Sequence, residues 1–171
     1  MDPNLLVSYD PKGGYMSGKG EIHNILTKLG DQKAEQELLV PGIIGVKTKL
    51  VARDVVEEVR EMYVGDPNAL NFAIKWVPVD YWCDATIDSI KAVVKEEIKD
   101  MITSTDHYAI EIVKHRSALQ PEKITEAISP MLRGKMNIEH PQKILRIELF
   151  DNKAAVTLLQ PKNIFSVVKE N

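Results

Sequence analysis

The chain has 171 residues, 44% of them hydrophobic and 27% charged, with a net charge of −3 at pH 7, a balance expected of a soluble protein with one ordinary domain or two small ones. No apolar run reaches the ~20 residues of a membrane span, and the start "MDPNLLVSYD" lacks the basic region and long apolar core of a signal peptide. The single cysteine, Cys83, excludes an internal disulfide and any cysteine-pair zinc site, and a cytoplasmic location is expected.

Residues 4–10 read as a short strand, followed by a Gly-rich loop and a helix carrying Ile22, Ile25, Leu26 and Leu29, with Gly30 placed as its C-terminal cap. Residues 37–48 read as two strands broken at Pro41-Gly42. A helix from about Arg53 to Tyr63 buries Val55, Val56, Val59 and Met62, and "NFAIKWVPVD" (71–80) closes this half as a strand. The order strand, helix, two strands, helix, strand is that of a split βαβ, or ferredoxin-like, domain.

The second half begins with a helix through Ile87, Ile90, Val94, Ile98, Met101 and Ile102, with Lys91, Lys95, Glu96 and Lys99 on its solvent side. "HYAIEIVKH" (107–115) is a strand, Pro121 opens a helix, and Pro130 ends or kinks it before Gly134. "HPQKILRIELFDNKAAVTLL" (140–159) is a hairpin turning at Asp151-Asn152, followed by the tail "QPKNIFSVV" (160–168). Alternation sets Leu145, Ile147 and Leu149 on one side of the first hairpin strand, and Ile144, Arg146, Glu148 and Phe150 on the other. The whole reads as α+β.

Three signals for chemistry stand out. Gly13-x-x-x-x-Gly18-Lys19, between a strand and a helix, has the spacing of a phosphate-binding loop, but Gly20 stands where that loop needs a hydroxyl for magnesium. A turn into a helix is the better reading, with a degenerate nucleotide-binding enzyme as a lesser alternative. Neither His107, His115 and His140 nor Cys83 has the spacing or neighbours of a metal site or a nucleophile, so no cofactor, metal or catalytic residue is expected. The third signal is cationic: residues 107–146 hold seven Lys and Arg against four acids, whereas residues 1–84 hold nine against thirteen. Lys114, His115 and Arg116 end a strand, Arg133 and Lys135 follow a helix, and Lys143 and Arg146 open the hairpin. Brought to one edge of the sheet, they would form a patch for phosphates or for an acidic protein surface.

The segments "NFAIKWVPVDYWCDATIDSIKAVVKE", "YAIEIVKHRS" and "HPQKILRIELFDNKAAVTLLQPKNIFSV" resemble, in that order, the THUMP domain of tRNA-binding proteins that help an RNA acetyltransferase make 4-acetylcytidine. The resemblance implies a ferredoxin-like domain over residues 1–79 and a THUMP domain over 80–171. It implies that the pair grips tRNA, by its acceptor stem and 3' end. Since no modification domain follows in the sequence, it also implies a non-enzymatic adaptor for a separate enzyme. By matched segment the RNA contacts would be Lys75, beside Trp76, with Lys114, His115, Arg116, Lys143 and Arg146; charge adds Arg133 and Lys135. Trp76 and Trp82 would stack on bases or be buried. The alternative is a non-catalytic protein-interaction module.

Overall fold

The computed structural model describes residues 2–167, so Val168 of the expected tail lies outside the described residues. The chain is mixed α+β and divides into two compact units. The first runs to Val79 and takes back the stretch from Lys162; the second is Asp80–Pro161.

In the first unit, β1 (Leu5–Tyr9), α1 (Gly14–Leu29), β2 (Glu35–Val40), β3 (Ile43–Lys47), α2 (Ala52–Gly65) and β4 (Ala73–Pro78) follow in sequence. The sheet is antiparallel throughout, with the order β10-β4-β1-β3-β2, where β10 is the short strand Phe165–Ser166. Leu5 and Val7 alternate onto the face that receives Ile22, Ile25 and Leu26 of α1 and Val55, Val56 and Val59 of α2. Gly42, at φ 98°, makes the turn that Pro41-Gly42 predicts. Asp31, just past α1, accepts 2.5 Å from the Thr48 hydroxyl and 3.0 Å from the Lys49 amide, tying the helix end to the end of β3. The Thr48 bond outweighs burial and holds the Asp31 carboxyl below its ordinary pKa.

Two expectations change here. The Gly-rich segment is not a loop, because α1 begins at Gly14 and carries Gly18-Lys19 within it. The amides of Gly13 and Gly14 donate to the Asp10 carbonyl, and that of Lys12 to the Asp10 carboxylate, so the donors a phosphate would need are already engaged. Close packing explains two of the glycines: a Cβ on Gly13 would meet the Phe72 ring at 2.2 Å, and one on Gly18 would meet Tyr9 Cβ at 2.7 Å. The phosphate-loop reading falls on both counts. The tail also differs from the expected division, since Phe165 pairs with Trp76 and Ser166 with Lys75 on the first unit's sheet.

The second unit contains β5 (Tyr81–Asp84), α3 (Ile87–Val93), β6 (His107–Arg116), α4 (Pro121–Ile128), β7 (Lys135–Met136), β8 (Lys143–Phe150) and β9 (Lys153–Leu159). Its sheet order is β5-β9-β8-β6-β7. The β8–β9 hairpin turns where predicted, with Asp151 at φ 44°. By contrast, β6 runs parallel to both β7 and β8, a pairing that requires the crossover through α4. Leu145, Ile147 and Leu149 share a core with Ile90, Val94, Ile98, Ile102, Ile124 and Ile128.

The predicted long helix changes form after α3, becoming a π-helix at Val94–Ile98 and a 3-10 turn at Lys99–Met101. Its apolar spacing supplies a reason. Ile90, Val94, Ile98 and Ile102 recur strictly every four residues, and four residues overshoot a 3.6-residue turn by ~40° at each step. The π segment takes more residues per revolution and offsets that drift between Val94 and Ile98. All four isoleucine and valine side chains are at most 1% exposed.

Candidate nucleic-acid interface

The candidate cations fall into four places. Lys75 lies on β4 of the first unit, half-buried, in register between Ser8 and Ser166. The remaining seven belong to the second unit, where Arg146 sits mid-strand opposite Glu111 and parallel pairing divides the other six. His107 is opposite Lys135, and Tyr108 opposite Lys143, so Lys135 and Lys143 lie with Arg133 at the start of β6. Lys114, His115 and Arg116 lie at its other end, beside the Asp151 turn. At about 3.3 Å per residue along β6, roughly 25 Å separates the two groups. The single patch at one sheet edge therefore does not form.

Several of these cations already have carboxylate partners. Arg146 is 8% exposed; its guanidinium donates through Nη1 to Glu111 at 3.0 Å and through Nε to Glu148 at 3.1 Å. Glu148 is 4% exposed, and its second oxygen meets His115 Nε2 at 2.8 Å. The His115 ring stacks on Phe150 at 4.7 Å, and Trp82 packs on the same phenyl ring at 5.8 Å. Burial alone would raise the Glu148 pKa, but the His115 bond and the Arg146 charge outweigh it and hold the group below its ordinary value. What Arg146 meets in the structure is thus a pair of glutamates. Alternation had placed Glu148 on its side of β8, and the missing partner, Glu111, comes from the neighbouring β6 register.

Lys143 donates to Asp106 Oδ2 at 2.7 Å and to the Met101 carbonyl, closing the loop before β6. That bond, helped by the Thr103 amide, draws the Asp106 pKa down to about 2. Looser pairs hold Arg116 to Asp151 and Arg133 to Asp100, both at 3.9 Å with exposed side chains. Lys114 and Lys135 are exposed, and neither has an ion-pair partner among the described residues. Trp76 is fully buried and donates Nε1–H to the Ala73 carbonyl, while Trp82 is half-buried.

Three further cations lie on the helix face expected to meet solvent, with Lys91 and Lys95 exposed and Lys99 half-buried. Lys91, Lys95 and Lys99 line one groove of about 500 Å³ with Asp88, Ala92 and Met131. No carboxylate among the described residues pairs with any of the three lysines. Among the described residues, no helix is long and apolar enough to cross a membrane.

Together, these units define a two-part α+β fold with a mixed second sheet. No family model and no curated protein matches the sequence. Solved structures share the fold at low identity. PH1313 from Pyrococcus horikoshii Ot3 superposes with a TM-score of 0.63 at 11% identity, over 95% of this chain and 54% of that one. TrmN from Thermus thermophilus gives 0.56 at 9% identity, over 92% and 46%. The chain spans about half the length of these structures.

Proposed function

We propose that this chain is a tRNA-binding module of the THUMP type, and that it presents tRNA to a separate modifying enzyme instead of performing the chemistry itself. The observation that carries the reading is the fold shared with PH1313 and TrmN across both units, 95% and 92% of the chain. The ordered resemblance of residues 71–96, 108–117 and 140–167 to THUMP sequences supports it. In this reading the first unit is ferredoxin-like, supported by its strand order β4-β1-β3-β2 and by α1 and α2 sharing one core. The partner enzyme is an RNA cytidine acetyltransferase making 4-acetylcytidine.

Exposure divides the candidate residues into two roles. Lys114, Arg116, Arg133 and Lys135 are assigned to RNA phosphates, where exposed or weakly paired cations can exchange partners. His115, Lys143 and Arg146 are assigned to supporting that surface, and Lys75 is assigned to RNA contact on the first unit.

Fluorescence anisotropy of unmodified tRNA, intact and lacking its 3' end, tests the binding at two salt concentrations. The expected result is tight, salt-sensitive binding that weakens on 3' truncation; equal, feeble binding by both RNAs would overturn the reading. The adaptor role predicts no acetylation from an acetyl donor and this protein alone, and faster acetylation when it is added to the acetyltransferase.

A further inference from the structure

We propose that Lys91, Lys95 and Lys99 form a track for the sugar–phosphate backbone of an RNA strand, running along the groove beside Met131. The proposal rests on the tRNA-binding reading above and adds to it a location on α3 and the helical turns that follow. Each lysine follows a core residue, Ile90, Val94 or Ile98, by one position. Lys91 lies on α3, Lys95 in the π segment and Lys99 at the start of the 3-10 turn, and the three nonetheless line one groove. Even in a regular α-helix positions i, i+4 and i+8 drift by only ~40° per step and share one broad face.

Charge availability separates this row from the paired Lys143 and Arg146 and groups it with the exposed Lys114 and Lys135. Lys143 and Arg146 are engaged by Asp106, Glu111 and Glu148, whereas Lys91, Lys95 and Lys99 have no carboxylate partner among the described residues. The groove supplies a neutral floor in Ala92 and Met131. Beyond Lys99, Arg133 is held only loosely, at 3.9 Å from an exposed Asp100, and can extend the track. Asp88, at the opposite end of the groove, disfavours phosphate there and limits the track's length. A row of cations one helical turn apart suits an extended polyanion better than a compact one.

The test is tRNA anisotropy against salt for the intact chain and for the Lys91→Gln, Lys95→Gln, Lys99→Gln triple variant, with thermal melting as the folding control. Loss of three phosphate contacts should reduce the slope of log affinity against log salt by about 2 and weaken binding by about tenfold or more at low salt. Unchanged affinity and slope in a variant that melts normally would overturn the track while leaving tRNA binding intact. No binding by the unaltered chain would remove the tRNA reading and the track together. Should the variant fold poorly, lysine acylation of the unaltered protein decides: bound tRNA should shield Lys91, Lys95 and Lys99, and their full reactivity in the complex would overturn the track.

Discussion

Arg146 Nε lies 3.1 Å from Glu148 Oε2 on the same face of β8, with both side chains almost fully buried. Two charges removed from water in this way depend on each other. Truncating one strands the other, at a cost of about 3–5 kcal/mol, whereas replacing both with apolar groups of similar size is far better tolerated. Arg146→Ala should therefore destabilise the protein by about that amount in urea denaturation. The double change Arg146→Met, Glu148→Leu should cost less than either single truncation. A loss below about 1 kcal/mol for Arg146→Ala would show that the guanidinium does not hold the sheet.

The Lys143 contact makes Asp106 unusually acidic, from an ordinary value of 3.8 to about 2. A carboxyl with a lowered folded-state pKa contributes stability that is fully present above its unfolded value. As pH falls below 3.8 and then through about 2, that contribution is lost. Carbon NMR titration of the Asp106 carboxyl should show the low midpoint, and Lys143→Met should move it back toward 3.8. A midpoint near 3.8 in the unaltered protein would remove the assigned role of Lys143.

Burial first, and then the neighbouring Asp84 charge, push the Cys83 thiol up to about 11 despite the opposing pull of Lys153. At pH 8 only about one thiol in a thousand is then ionised. Alkylation by iodoacetamide should be slow at that pH and accelerate up to pH 11. Asp84→Asn should hasten it, and Lys153→Ala should slow it. Rapid modification at pH 8 would contradict this environment.

Gly18 and Gly20 occupy the same helix but should respond oppositely to alanine. An added Cβ at Gly20 has nothing within 4 Å, while one at Gly18 lies 2.7 Å from Tyr9 Cβ. Gly20→Ala should stabilise by about 0.5–1 kcal/mol through helix propensity. Gly18→Ala should destabilise despite the same propensity gain, because β1 and α1 must separate. Equal shifts in melting temperature would mean that the helix does not approach the strand so closely.

Local signals in the sequence were readable because they act over a few residues. The Asp151-Asn152 and Pro41-Gly42 turns, the stripes of Ile22, Ile25 and Leu26, and the alternation along β8 all follow from short-range geometry. The strand Tyr81–Asp84 escaped notice because it follows β4 after only Val79 and Asp80. Parallel pairing of β6 with β8 depends on residues some thirty-five positions apart, such as Glu111 and Arg146, and no local pattern announces it. That pairing decides which cations share an end of the sheet. The lysine row did carry a visible signal, the same four-residue period as the core. Charge on the outer face of an amphipathic helix is the ordinary solvated arrangement, so the period alone does not announce a binding row.

The short strand β10 has a consequence for cleavage and truncation. Its pairing with β4, the Arg60 bonds to the Lys162 and Ile164 carbonyls, and the Tyr63–Phe165 ring contact make the second unit an insertion within the first. The backbone passes between the units twice, so a protease that nicks one crossing leaves both fragments attached, and separating them requires two cuts. A gene ended at residue 79 would strip the first unit of its border strand and leave Trp76 and Arg60 without the neighbours they have in the full chain.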